Sequence, residues 1–298
     1  MNKKINHAFQ TGYIRRYTLS EGKENGLRII ELNNGILRVL LNESKGLDIM
    51  QVWHKGVNMS FVSKNGFTAR EIPFLKRFEG GMLYTCGLDS IGGREGFELH
   101  GSFHNTPASV TDIDNENLRV SADIEVTSLF GENLVMKRTV SLTDGELRLE
   151  DTLVNRGTKD ENYCLLYHIN FGYPFLDEGV QVEADLEDVT PRTPISAEKL
   201  GERARFTAPE DNAEERCYFL KNKGNSISAV NKKLGVRAMV SYSKDTLPCL
   251  VQCNSPASQD YSLGLEPATC LLDDGFCYKQ IAPQEQVRFA VSLAFNEV

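Results

Sequence analysis

Two of the five histidines in this 298-residue chain, His100 and His104, lie four residues apart between a glycine-rich run and a proline. On a helix this spacing would put both imidazoles on one face, as in the zinc-binding H-E-x-x-H motif. The glycines of residues 92–101 argue against a helix, because each glycine in a helix interior costs roughly 1 kcal/mol. The nearby Glu95 and Glu98 do not complete a recognisable ligand set. We therefore expect a loop or short strand here, and no bound metal.

A third histidine, His168, and a glutamate, Glu266, lie in segments typical of β-strands. In residues 164–171 the even positions, which include His168, are more polar than the odd ones, so His168 should face away from the apolar side. Glu266 stands between a leucine and a proline, where burial would raise the pKa of its carboxyl group and favour it as a base. Taken alone, a histidine bonded to a backbone carbonyl and a surface glutamate explain these residues well.

Three segments that hold these residues occur in the order found in the aldose 1-epimerase (galactose mutarotase) superfamily. Residues 99–101, Leu-His-Gly, resemble its first histidine motif, residues 167–174 its second, and residues 264–269, Gly-Leu-Glu-Pro-Ala-Thr, the segment of its late glutamate. The run 80–89 resembles an uncharacterised branch of that superfamily more than the galactose enzyme itself. Together the resemblance covers roughly residues 30–295.

The resemblance implies a mutarotase, which interconverts the α and β anomers of an aldose without a metal or organic cofactor. Ring opening needs a base to take the C1 hydroxyl proton and an acid to protonate the ring oxygen, and reclosure reverses both transfers. By resemblance, Glu266 is the base, His168 is the acid, and His100 binds near the ring oxygen. A carboxylate and an imidazole with pKa values near the working pH suit both directions.

Other residues are candidates for binding the sugar. The family that this chain resembles commonly uses an arginine, for which we take Arg77, although its surroundings depart from the family's Asn-x-Arg pattern; Arg94 is the fallback. A solvated arginine explains either residue equally well. His104 is either a second sugar contact or a hydrogen-bonded loop histidine, and Asp89 either binds sugar hydroxyls or fixes its loop. A further carboxylate is expected from Glu215, with Asp211 as a substitute.

Composition limits the partners and the compartment. A net charge of −8 without any Lys/Arg run longer than two residues argues against nucleic acid and, mildly, for a neutral rather than a phosphorylated sugar. The basic N-terminus is not followed by an apolar segment, and no run approaches the roughly 20 apolar residues of a membrane span. The seven scattered cysteines are typical of reduced core thiols, so we expect a cytoplasmic protein.

The elements that must position these residues are β-strands. Period-two alternation marks residues 118–126 and a hairpin at 133–154 that turns at Asp144-Gly145, with Arg138 as an exception on the apolar face. Residues 186–216 break this pattern and predict a long surface excursion with one helical turn near 197–203. We predict an all-β protein, a large antiparallel β-sandwich of the galactose mutarotase type, formed as one domain by residues 1–298.

Two other functions stay open at this stage. A carbohydrate-binding β-sandwich without catalytic activity could use the same concave surface. A cupin-like, metal-dependent isomerase could be built on His100 and His104. The sequence leaves the identity of the sugar and the oligomeric state undetermined.

Overall fold

The computed structural model describes residues 4–298, so the first three residues of the N-terminal segment discussed above lie outside it. Within residues 4–298 the chain forms twenty β-strands and two short α-helices. The strand pairs are antiparallel throughout this part of the chain. The prediction of an all-β protein with large antiparallel sheets is confirmed.

The strands form three sheets. The first sheet contains, in order, β1 (Tyr13–Thr18), β2 (Arg28–Asn33), β3 (Leu37–Asn42), β4 (Asp48–His54) and β5 (Val57–Asn58). The second contains β12 (Gln181–Glu183), β15 (Ser226–Asn231), β16 (Val236–Tyr242), β20 (Gln286–Glu297), β10 (Glu146–Asn155), β9 (Asn133–Thr143), β8 (Arg119–Thr127) and β7 (Ala108–Asp114). The third contains β13 (Leu186–Pro191), β14 (Arg216–Asn222), β17 (Cys249–Ser255), β18 (Ser262–Ala268), β11 (Glu161–Phe171) and β19 (Lys279–Ile281), with β6 (Leu83–Leu88) also paired to β11.

The two α-helices are α1 (Phe74–Arg77) and α2 (Pro194–Glu198). No helix in the described part of the chain is long and apolar enough to cross a membrane. The excursion predicted for residues 186–216 is only partly correct. Its helical turns exist, at α2 and at the 3-10 turn Leu200–Glu202, but its first residues form β13, paired with β14. Pro191 is compatible with a strand because β13 lies at the edge of its sheet.

The hairpin of β9 and β10 shows how the alternating sequence produces the fold. Leu142 is paired with Leu147 across the turn, and both side chains are buried. Gly145 supplies the positive φ of 76° that the turn needs. The main hydrophobic core takes side chains from all three sheets, among them Ile30 of the first, Leu149 of the second and Leu165 of the third. The predicted hairpin is confirmed.

The third sheet is buried on both faces. The odd positions of β11, including Leu165 and Tyr167, pack into the main core. The even positions, including Cys164 and Leu166, face a second and smaller cluster on the other side of the sheet. That cluster also contains the side chains of Cys86, Cys217, Val251, Cys253, Ala268 and Cys270. The predicted alternation of this strand is confirmed, but the expectation that His168 faces away from apolar side chains is wrong. The even positions face the second hydrophobic cluster, and the ring of Phe78 lies 5.7 Å from that of His168.

Arg138, the exception in the hairpin pattern, is the centre of a buried charge network. It is fully buried, with Nη1 2.5 Å from Asp48 Oδ1 and Nη2 2.8 Å from Asp151 Oδ2. Asp48 also lies 2.6 Å from His104 Nδ1, and Glu79 Oε1 lies 3.4 Å from His104 Nε2. Because a buried cation costs free energy unless it is paired, the two aspartates are what allows an arginine on this face. The network joins strands of all three sheets.

Candidate active site

His168 and Glu266 lie opposite one another on neighbouring strands of the third sheet. In the pairing of β11 with β18, Asn170 is opposite Gly264, and the same register places His168 opposite Glu266 two positions away. His168 Nε2 is 3.4 Å from Glu266 Oε1. Within residues 4–298 no group forms a hydrogen bond with His168 Nδ1 or with Glu266 Oε1. The two side chains therefore form a contact pair with unused bonding capacity for a ligand.

Gly264 makes room for the carboxyl group of Glu266. Alternation along β18 puts both residues on one face, and a Cβ atom built on Gly264 would collide with Glu266 Oε1. The same point lies 3.4 Å from the Cβ atom of Cys253, which is opposite Gly264 on β17. The glycine of the Gly-Leu-Glu segment thus lets the carboxyl group lie along the sheet, where Glu266 is only 1% exposed.

His100 reaches the same place from a loop, as predicted. Its backbone has a left-handed φ of 65°, and Gly101 follows with a φ of 75°. A side chain at Gly101 would collide with the carboxylate of Asp89, so this turn requires glycine. The ring of His100 packs edge-on against that of His168, with 5.3 Å between centroids. His100, His168 and Glu266 therefore converge, although they come from three distant parts of the chain.

Three aromatic rings surround the two imidazoles. The ring centroid of Phe74 is 5.4 Å from that of His100, and the centroid of Phe78 is 5.7 Å from that of His168. Tyr84, opposite His168 on β6, packs against both phenyl rings. No sequence motif indicated this wall. The signal was three aromatic residues within residues 74–84, on either side of Gly80 and Gly81.

Burial shifts the protonation of all three central groups. It lowers the pKa of His100 to about 3 and that of His168 to about 4, because desolvation disfavours the imidazolium form. It raises the pKa of Glu266 well above 4.5, with smaller contributions from Cys217 and Glu215. The proton shared by the contact pair therefore rests on Glu266. The backbone N–H of Gly92 approaches His100 Nδ1 at 3.4 Å, which leaves the ring hydrogen on Nε2.

Arg192 is a second feature that sequence reasoning missed. It follows β13, and its guanidinium holds Asp273 through Nε at 2.6 Å and Nη2 at 2.8 Å. Its positive charge lowers the pKa of His100, of Glu215 and of Glu266, so it is near enough to act on all three groups electrostatically. No motif marked it, because it lies in the segment that the sequence predicted as a surface excursion.

Glu215 lies beside the contact pair. It precedes β14 by one residue, and its carboxylate raises the pKa of Glu266. Desolvation raises its own pKa, although the residue is exposed at the surface. Its role in binding sugar stays a prediction.

Neither of the two predicted arginines points at the contact pair. Arg77 is buried, with Nη2 2.6 Å from Glu98 Oε2 and Nη1 donating to the carbonyl of Ile72 at 3.0 Å. Arg94 lies over the ring of Phe276, with 3.7 Å between its guanidinium carbon and the ring centroid. No hydrogen bond or ion pair within residues 4–298 joins either arginine to the three central groups. The positive charge that does act on two of these groups, His100 and Glu266, is that of Arg192, in another part of the chain.

His104 and Asp89 both make the structural contacts considered for them, and a sugar contact by either residue stays a prediction. His104 is 2% exposed and held between Asp48 and Glu79 in the charge network, which favours the hydrogen-bonded loop histidine. These carboxylates raise its pKa despite the opposing effect of burial. The carboxylate of Asp89 accepts hydrogen bonds from the backbone N–H groups of Ser90 and Ser102, so it fixes the loop of His100.

The histidine pair that opened the sequence analysis is divided between two environments. His100 faces the contact pair, whereas His104 belongs to the charge network. In the described residues, no group of three or more His, Cys, Asp or Glu side chains is arranged to hold a metal ion. The geometry therefore offers no basis for building a metal site on these two histidines.

Comparison with known families assigns the chain to one of them. A family model described as a domain of unknown function, DUF4432, matches residues 24–292. The chain belongs to this family. No curated protein sequence matches it. The match covers the segments of His100, His168 and Glu266, so the candidate site lies within the family's domain.

Solved structures agree with the sandwich of the galactose mutarotase type. A Klebsiella pneumoniae protein, provisionally named an aldose 1-epimerase, superposes with a TM-score of 0.82 at 20% identity, covering 95% of this chain and 83% of that one. A galactose mutarotase-like protein from Clostridium acetobutylicum gives 0.73 at 14% identity, with 97% and 100% covered. A provisionally named mutarotase from Salmonella typhimurium gives 0.70 at 11% identity, with 96% and 94% covered. At these identities the likeness establishes the fold.

Proposed function

We propose that this DUF4432 protein is a mutarotase, an isomerase of the aldose 1-epimerase type that interconverts the anomers of an aldose. The observation that carries the proposal is the contact between His168 Nε2 and Glu266 Oε1 at 3.4 Å, next to the ring of His100. A buried carboxyl group and a neutral imidazole that share one proton are the groups that ring opening requires.

In the proposed reaction, Glu266 and His168 exchange a proton through the sugar. One group takes the C1 hydroxyl proton while the other protonates the ring oxygen, the C1–C2 bond rotates, and reclosure reverses the transfers. The two groups titrate as a pair. Ring opening therefore requires that the pair holds one proton in total, and either group can hold it before the sugar binds. The family resemblance assigns the base to Glu266 and the acid to His168. With these roles, sugar binding must move the proton from the Glu266 carboxyl group to the His168 imidazole. His100 donates from Nε2 to the ring oxygen.

The surroundings of the pair suit a small neutral carbohydrate. The rings of Phe74, Phe78 and Tyr84 offer flat apolar surface, while Glu215 and Arg192 offer bonds to hydroxyl groups. The arginine is balanced by Asp273 at 2.6 Å, so the site holds no excess positive charge for a phosphate group. We therefore propose a free aldose as the partner. We also propose a cytoplasmic location, supported by seven free cysteines of which five are buried.

The test is an anomer-exchange NMR screen over free aldoses and their 6-phosphates, using the wild-type chain and Glu266→Gln. We expect faster exchange than in buffer for at least one free aldose, and a loss of about 100-fold or more in the variant. An exchange rate equal to that of buffer across the panel would overturn the proposal.

Two comparisons separate catalysis from binding and from damage to the fold. Glu266→Gln should keep most of its sugar affinity, and a wild-type chain that binds sugar without accelerating exchange would be a lectin. His168→Gln should also lose activity. Its matched control is His54→Gln, since His54 is a buried histidine on β4, stacked on Phe295 and outside the site. Equal losses in both histidine variants would indicate a general effect on folding.

A further inference from the structure

Two cysteines lie side by side in the sheet under the candidate site. Cys217 of β14 and Cys253 of β17 are register partners, and their sulfur atoms are 3.1 Å apart as free thiols. Register partners on antiparallel strands have Cα atoms about 4.5–5.5 Å apart. Disulfides join Cα atoms at roughly 4.4–6.8 Å, so the backbone already has the spacing that a disulfide needs. Closing the bond requires the sulfurs to approach by about 1 Å.

The pair is directly connected to the groups of the proposed reaction. Cys253 lies opposite Gly264, the residue whose missing side chain accommodates the carboxyl group of Glu266. Cys217 accepts, at its carbonyl oxygen, a hydrogen bond of 2.9 Å from the backbone N–H of Arg192. The pair is therefore joined to Arg192 through the backbone of Cys217, and it borders the space of the Glu266 carboxyl group through Cys253.

The electrostatic surroundings make the two sulfurs unequal. The thiol of Cys253 donates to Cys217, and this bond together with the charge of Arg192 lowers the pKa of Cys217, while burial and Glu215 oppose the change. The pKa of Cys253 is raised by its bond to Cys217, by burial, and by the negative charges of Glu266 and Glu215. Cys217 is therefore the thiol that ionises first and attacks an oxidant.

We propose that Cys217 and Cys253 are a modification site at which a small peroxide forms a reversible disulfide, and that this disulfide repositions Glu266. The disulfide itself does not depend on the proposed function; its effect on sugar turnover does. The other buried cysteines of this face, such as Cys86 and Cys164, form no comparable thiol–thiol contact.

The reaction balances with hydrogen peroxide as the oxidant. The Cys217 thiolate attacks one oxygen, the O–O bond breaks, and the departing hydroxide takes a proton to become water, leaving a sulfenic acid. The sulfur of Cys253 then attacks the sulfur of Cys217, the S–O bond breaks, and the second hydroxide leaves as water with the proton of Cys253. Two thiols lose two electrons in total and peroxide gains them. Since Cys217 and Cys253 are 1% and 9% exposed, the oxidant must be small.

The disulfide changes the site by moving the Cys253 side chain toward β14. This movement takes it away from the space that it shares with the Glu266 carboxyl group. Misplacing a reacting group by about 1 Å can cost on the order of 100-fold in rate. We therefore expect oxidation to slow anomer exchange by at least about tenfold.

The experiment treats the full-length chain with hydrogen peroxide, blocks remaining thiols with N-ethylmaleimide in denaturant, and maps peptides by mass spectrometry. We expect a linked pair of peptides holding Cys217 and Cys253, lighter by two hydrogen atoms and separated again by dithiothreitol. Cys217→Ser should abolish the link, whereas the matched control Cys277→Ser, at an exposed cysteine, should keep it. A linkage between other cysteines, or oxidation of Cys277 with none at Cys217, would overturn the proposal.

The effect on the site is followed without relying on turnover. The C2-proton resonance of His168, assigned with His168→Gln, should shift on oxidation and return on reduction in the wild-type chain but not in Cys217→Ser. An unchanged resonance in the linked protein would disprove the effect on Glu266 while leaving the modification site intact. If no sugar is turned over, the proposed mutarotase fails, and the peptide map and the resonance still decide this inference.

Discussion

The ring of Tyr84 lies flat against the ring of His104, with 3.8 Å between their centroids and 18° between their planes. Tyr84 also packs against Phe78, with 5.4 Å between their centroids, and stands opposite His168 on the neighbouring strand. This one side chain therefore contacts both the charge network around Arg138 and the candidate site. A substitution in the charge network should therefore lower the free energy of unfolding and, through Tyr84, also disturb the candidate site.

Replacing His104 by Gln should lower the free energy of unfolding by about 3 kcal/mol, because two buried carboxylates lose a charged partner. The pKa of His104 is raised in the folded protein above its ordinary 6.5. The stabilisation by His104 is therefore complete below about pH 6.5 and is lost as the pH rises through the pKa of His104 in the folded protein. Urea unfolding of the wild type and the variant from pH 5.5 to 9 measures the difference in the free energy of unfolding. The difference between them should shrink toward alkaline pH; a difference that grows would contradict the assignment.

Replacing Gly264 by Ala should remove the space that the Glu266 carboxyl group occupies. We expect anomer exchange to fall by about 100-fold, because the carboxyl group is displaced, and stability to fall by about 1–3 kcal/mol through overpacking. Gly201→Ala is the control, since a Cβ atom there meets nothing within 4 Å. NMR exchange rates and urea unfolding measure the two effects. Full activity in Gly264→Ala would show that the carboxyl position is unimportant.

Replacing Arg192 by Gln should raise the pKa of Glu266, because the positive charge of the arginine now lowers it. The alkaline limb of the pH–rate profile should then move to higher pH, and sugar binding should weaken through the loss of hydrogen bonds. Asp273→Asn removes the negative partner of Arg192 and keeps the positive charge of the arginine. The alkaline limb of this variant should therefore move to lower pH. Identical profiles in all three proteins would place Arg192 outside the site.

The pH–rate profile of the wild-type chain should be level over a wide range. Below about pH 4 the rate should fall, because His168, with a pKa of about 4, and His100, with a pKa of about 3, become protonated. On the alkaline side the rate should fall as the last proton leaves the contact pair, well above the ordinary carboxyl value of 4.5. Initial rates corrected for spontaneous mutarotation measure the profile. A single acid limb centred near 6.5 would contradict the low imidazole pKa values.

The sequence alone determined strands β8, β9 and β10 and the division of β11 into two faces. Alternation in residues 118–126 and 133–154 predicted β8, β9 and β10 because a side-chain period of two is a local property of extended chain. The even positions of β11 identified the face of His168 for the same reason. The resemblance singled out His100, His168 and Glu266, and the coordinates bring them together.

The tertiary structure determined which distant residues lie together, because no local sequence pattern records long-range pairing. Arg192 approaches the site from a segment that looks like surface in the sequence, since nothing local records that β13 and β14 pair at the edge of the third sheet. His104 is four residues from His100, yet it binds Asp48 and Glu79 inside the charge network, because long-range pairing and not spacing determines which charges are buried together. The thiol contact of Cys217 and Cys253 likewise depends on a strand register that joins residues 36 positions apart.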